Sequence, residues 1–139
     1  PYTTLFRSGV DPKSQYIYVM DTFDFYNYAA RHGKQYDTIV IDPPSFARNK
    51  KKTFSVQKNY DDLINGALDV LAPDGTLLLC TNSSAFSLKA FKNVIKKTLE
   101  QANVEYEIEE VMGLPKDFKT HPHYKPSKYL KAVFINIKH

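Results

Sequence analysis

Two short segments decide what this chain can fold into. Asp37-Thr38-Ile39-Val40-Ile41 and Thr76-Leu77-Leu78-Leu79-Cys80 are apolar on both faces through their centres. Strands of that kind belong in a parallel sheet covered by helices, because a strand with one wet face shows alternation instead. The first run stops at Asp42-Pro43-Pro44, where proline can no longer donate to a ladder. Around these runs, Leu63, Ile64, Ala67, Leu68 and Leu71 recur at helical spacing, as do Leu88, Phe91, Ile95, Leu99 and Ala102. The spacing predicts helices over about 56–71 and 87–102.

The remaining segments complete the order. Tyr16-Ile17-Tyr18-Val19-Met20 reads as a strand, and Phe23 to Arg31 as a helix closed by Gly33. Val104, Tyr106 and Ile108 alternate with glutamates, the pattern of a strand with one solvated face. Tyr129 to Ile137 gives a last strand. The order β-α-β-α-β-α-β-β predicts an α/β fold, a doubly wound and mostly parallel sheet with right-handed crossovers. The closing pair, with no helix between its members, predicts one antiparallel strand at the edge. Function in such sheets lies beyond the carboxyl ends of the strands. Those ends are Asp21, Asp42-Pro43-Pro44 and Thr81-Asn82-Ser83.

Composition narrows the class. The chain has 139 residues, the size of one modest domain, and its 42% hydrophobic and 24% charged residues exclude disordered and fibrous classes. No apolar run reaches the roughly 18 residues of a membrane span. Cys80 is the one cysteine, so no internal disulfide forms. A soluble, cytoplasmic domain is the expectation. The net charge of +4 permits a polyanionic partner without requiring one. Arg48, Lys50, Lys51, Lys52 and Lys58 form one basic stretch, and Lys116, Lys119, Lys125, Lys128 and Lys131 with His121 and His123 form another. Either is a solvated face or a surface for RNA. The two histidines lack a third ligand at usable spacing among repelling lysines, so no metal is expected. Residues 1–8, Pro-Tyr-Thr-Thr-Leu-Phe-Arg-Ser, fit no element and look like a translated sequencing adapter. They are expected to be a non-native leader to a domain spanning 9–139.

Asp42-Pro43-Pro44-Ser45-Phe46 after a buried strand, with a closing strand pair, resembles the class I S-adenosylmethionine-dependent methyltransferases. Tyr36 to Phe46, the basic stretch and then Phe54-Ser55-Val56-Gln57-Lys58 are similar to the bacterial 23S rRNA large-subunit methyltransferases. The similarity covers residues 16–139. That family forms 7-methylguanine or 5-methylcytosine, and Phe-x-Val-Gln with Thr81-Asn82-Ser83 is closer to the former type.

The resemblance implies S-adenosyl-L-methionine as cofactor and large-subunit ribosomal RNA as partner, with no membrane and no metal. It implies that Asp21 accepts the adenine amino group and that Thr22 and Phe23 line the same pocket. Asp42 would bind a purine edge or orient the cofactor, beside carbonyls presented by Pro43 and Pro44. Phe46 would stack on an extruded base, worth about 1–3 kcal/mol. Arg48, Lys50, Lys51 and Lys52 would contact RNA. A plainer role for Asp21 is to cap the following helix. The 5-methylcytosine enzymes need an activated thiolate just past the fifth strand. Counting from Gly75, that position is Asn82, and Cys80 falls inside the apolar run. Methylation of a base nitrogen is therefore expected, since guanine N7 needs no covalent adduct and Asn82 can bond the base edge or the backbone. A 5-methylcytosine enzyme using Cys80 and a non-catalytic RNA-binding module remain the alternatives.

The family's glycine-rich cofactor loop has no counterpart: glycines stand at 9, 33, 66, 75 and 113, with no G-x-G. The chain is thus expected to begin near the family's third strand, without the first two, and to bind cofactor weakly alone. In the family order 3-2-1-4-5-7-6, strand 16–20 would float as an edge or slide beside strand 36–41.

Overall fold

The computed structural model describes residues 9, 11–48, 53–121, 123–124 and 127–138. The expected leader, 1–8, lies outside them, as do Lys50, Lys51 and Lys52. Helix α1 (Thr22–Arg31) is followed by strand β1 (Tyr36–Ile41), then by a short hairpin of β2 (Phe46–Arg48) and β3 (Thr53–Ser55). Helix α2 (Val56–Leu68), strand β4 (Leu71–Thr81), helix α3 (Leu88–Gln101) and strands β5 (Glu105–Met112) and β6 (Lys131–Lys138) complete the chain.

The main sheet runs β1-β4-β6-β5, with β1 and β4 parallel and β6 antiparallel to both its neighbours. This is an α/β sheet, and it corrects one expectation. The antiparallel strand is inside the sheet and β5 is the edge. Burial explains the choice: β6 is buried along almost its whole length, whereas β5 carries Glu105, Glu107, Glu109 and Glu110 into solvent.

A second correction concerns residues 16–20, which form no strand. Val19 is 97% exposed, and the segment neither edges the sheet nor pairs with β1. Strand propensity is realised only through cross-strand partners, and this segment has none here. It is held by side chains instead: the Tyr18 ring packs on Phe25 and Tyr28 of α1 at centroid distances of 5.1 and 5.7 Å, and the Lys34 ammonium lies 5.6 Å from the Tyr16 ring centroid.

α2 ends three residues earlier than its periodicity predicts, because Leu71 already pairs with Tyr36 in β4. The Pro73-Asp74-Gly75 turn is absorbed within β4 as a register shift, with Asp74 at φ 56°. Gly75 is required there, since a Cβ would sit 2.7 Å from the Leu71 Cγ and 2.8 Å from the Ala72 carbonyl oxygen.

Leu63, Ile64 and Ala67 of α2 and Phe91, Ile95 and Leu99 of α3 share one buried cluster with Leu77, Leu79, Val133, Ile135 and Ile137 of the sheet. Tyr26 and Ala29 join α1 to it, and Gly66 leaves room for the Tyr26 ring against α2. The other face of β1 is open in this structure, with Val40 61% exposed.

Candidate active site

Parallel β1 and β4 end side by side, Ile41 opposite Leu79, so Asp42-Pro43-Pro44 and Thr81-Asn82-Ser83 emerge at one edge of the sheet. Tyr60, buried on α2, holds the two ends together: its hydroxyl donates to the Cys80 carbonyl at 2.8 Å and lies 3.2 Å from that of Ile41. Beyond the strands, the Ser45 hydroxyl donates to Asn82 Oδ1 at 3.0 Å. The Val56 amide donates to the Ser45 carbonyl at 3.1 Å, and Gln57 Nε2 to that of Ala85 at 3.0 Å. Lys131, buried at the start of β6 opposite Thr81, donates its ammonium to the Ser83 carbonyl at 2.6 Å. Burial holds that ammonium below the usual lysine range. Both functional loops are thus fixed by side chains from other elements.

A cleft of about 370 Å³ opens beside them. Asp21, Thr22 and Phe23 at the start of α1 form one wall, and Asp42, Pro43 and Pro44 at the end of β1 form another. Tyr26, Ala47, Phe54 and Leu63 close it with apolar surface. Asp21 also caps α1, its carboxylate accepting from the Phe23 amide at 3.0 Å. The structural and binding readings of this residue are compatible, since the cap itself stands in the cleft wall.

The electrostatics are one-sided. Two carboxylates line the cleft, and among the described residues no lysine or arginine does. Acidic walls over apolar surface suit a cationic ligand with an apolar or aromatic body. S-adenosylmethionine, with its sulfonium, ammonium and adenine, has that chemistry, and the residues present fit it.

Asn82 is exposed and outside the cleft wall, joined to Asp42-Pro43-Pro44-Ser45 through the Ser45 hydrogen bond. Phe46 and Arg48 share one face of the β2–β3 hairpin, and Ala47, on the other, faces the cleft. Phe46 is 61% exposed. Arg48 is exposed opposite Thr53. Periodicity gives no sign of this hairpin, since strands of three residues are too short to show alternation. Tyr26, Ala47, Phe54 and Leu63 are cleft residues that sequence reasoning does not single out; Phe54 alone carries a signal, as part of the Phe-x-Val-Gln element.

Cys80 is half-buried within β4. Burial, and then the nearby Asp42 charge, push its thiol up. It therefore stays protonated near neutrality, the opposite of an activated nucleophile. Among the described residues no three histidine, cysteine, aspartate or glutamate side chains are grouped for a metal, and no helix is long and apolar enough to cross a membrane.

No family model matches the chain. It is 41% identical over 129 residues to YwbD of Bacillus subtilis, named as a ribosomal RNA large subunit methyltransferase, covering 93% of this chain and 33% of that protein. The ribosomal RNA large subunit methyltransferase K of Neisseria meningitidis serogroup B is 29% identical over 116 residues, covering 81% of this chain and 30% of the protein. A methyltransferase crystallised with SAH superposes with a TM-score of 0.88 at 36% identity, covering 97% of this chain and 35% of the other. The chain spans about a third of the length of the curated relatives it matches.

Proposed function

The chain belongs to the class I S-adenosylmethionine-dependent methyltransferases, with ribosomal RNA large-subunit methyltransferases as sequence relatives, and on that premise we propose that it carries the acceptor side of a site methylating a base nitrogen of large-subunit rRNA. The observation that carries this reading is the acid-walled cleft of Asp21 and Asp42, next to a loop pair tied by Ser45 and Asn82. A substrate in large-subunit rRNA implies action in the cytoplasm.

In that cleft Asp21, Thr22 and Phe23 would hold the adenosine end of S-adenosylmethionine and the Asp42 carboxylate would face its positive charge. The chemistry supplied there would be an electrophilic methyl group on a sulfonium. In-line transfer needs alignment and exclusion of water rather than a covalent adduct. Pro43 and Pro44 stiffen the end of β1, keeping that wall in place. Asn82, with its carbonyl oxygen engaged by Ser45, presents amide donors to a base acceptor. Asp42 accepts from the base's donor groups. Guanine offers an acceptor O6 and a donor N2 amino group, and its N7 lone pair lies in the ring plane. Phe46 gives an exposed ring on which an extruded base stacks. Arg48, with Lys50, Lys51 and Lys52, contacts the RNA backbone.

The protonated Cys80 thiol favours nitrogen over cytosine C5 as the methylated atom. The test is labelled methyl transfer to 23S rRNA by a complete methyltransferase domain carrying this segment. Asp42→Ala is expected to cost about 100-fold in rate, the scale of lost alignment. Cys80→Ser is expected to leave turnover unchanged. Normal turnover by Asp42→Ala would remove the site from Asp42, and abolished turnover by Cys80→Ser would restore the covalent route.

A further inference from the structure

The connection from β5 to β6 holds a second cleft, of about 320 Å³, whose walls include Leu114, Lys116, Phe118, Thr120, Lys128 and Leu130. Its place follows from the pairing. Met112, the last residue of β5, lies opposite Ala132, and Lys131 lies opposite Thr81 at the end of β4. The connection therefore leaves and re-enters the sheet at the edge that carries Asp42 and Asn82. The Lys131 bond to the Ser83 carbonyl ties its end to the Asn82 loop.

The chemistry of this cleft is the reverse of the first. Lys116 and Lys128 are exposed cations in its wall, and among the described residues no carboxylate lines it. Phe118 is 47% exposed and is braced edge-on by Tyr129, the ring centroids 6.4 Å apart at 87°. Thr120 adds a hydroxyl over the apolar surface of Leu114 and Leu130. Paired cations beside a braced, half-exposed aromatic ring match a ligand with phosphate charge and a planar base.

We propose that this cleft seats a nucleotide of single-stranded RNA flanking the methylated base, Lys116 and Lys128 on its phosphates and Phe118 under its base. The proposal rests on the reading of the chain as acting on RNA. It gives that RNA a second point of attachment on the same sheet edge, so that the target base is held from two sides.

The test is fluorescence anisotropy of a labelled single-stranded RNA with the 139-residue chain, from low to moderate salt. The double variant Lys116→Gln, Lys128→Gln is expected to weaken binding and flatten the salt dependence by roughly 1.4 in log–log slope, two single-strand phosphate contacts. Phe118→Ala is expected to weaken binding about 10-fold with the slope unchanged. Urea midpoints equal to that of the parent chain show that the variants are folded. Variants that bind RNA like the parent, while Arg48→Gln weakens it, would overturn this site and leave the RNA reading standing. A parent chain that binds no RNA at low salt would overturn both. A polyglutamate peptide bound as tightly as RNA would overturn the assignment to a nucleotide.

Discussion

Asp42 directly follows β1 and Cys80 lies just inside the end of neighbouring β4, where burial first and then the Asp42 charge oppose ionisation of the thiol. The carboxylate that we propose faces the cofactor cation thus adds to burial in keeping the adjacent thiol neutral. Tyr26 and Tyr60 show burial acting alone or first. Burial pushes the Tyr26 phenol up to about 12, and it pushes Tyr60 up more strongly. In the unfolded chain a tyrosine ionises near 10.0. Between those values the folded state binds the extra proton, so stability is full below pH 10 and falls as pH rises toward 12. The urea midpoint is expected to drop between pH 9 and pH 11.5, and to drop less in Tyr26→Phe; equal drops would show that Tyr26 is not responsible. Single residues differ in how well the sequence announces them. Asp42 and Asn82 are legible because polar residues directly after apolar runs mark strand ends. Tyr60 and Lys131 are not, because each acts on a carbonyl 20 or 48 positions away, brought near only by strand pairing.

At the scale of elements, capping separates structural roles from binding roles. Asp21 caps α1 and Ser87 caps α3, each accepting from a backbone amide of the first turn. Asp21→Ala and Ser87→Ala are each expected to cost about 1 kcal/mol of stability, read from urea unfolding. Asp21→Ala alone is expected to weaken S-adenosylmethionine binding, since Asp21 lines the cleft and Ser87 does not. Equal binding by the two variants would reduce Asp21 to a cap. The helices are legible because their apolar spacing persists over several turns, though that spacing carries α2 three residues past its end at Leu68. Segment 16–20 is misread for a physical reason: β-branched and aromatic residues favour a strand only beside another strand. The β2–β3 hairpin goes unseen because three paired residues on each side show no period.

For the whole molecule, the sheet order β1-β4-β6-β5 gathers the functional segments at one edge. Alternating apolar runs give the α/β class and the parallel β1–β4 pair. The interior position of β6 follows from its burial, which the glutamate-bearing β5 cannot match. The two clefts on that edge have opposite charge, one suited to a cationic cofactor and the other to an anionic strand. Because the chain carries no G-x-G, its affinity for S-adenosylmethionine is expected to be weaker than micromolar, a range that NMR reaches. Titrating the labelled chain with S-adenosylmethionine is expected to move the backbone amide resonances of Asp21, Thr22, Phe23 and Asp42 together, in one saturating curve. Those four resonances staying still while others shift would rule out this cleft as the cofactor site.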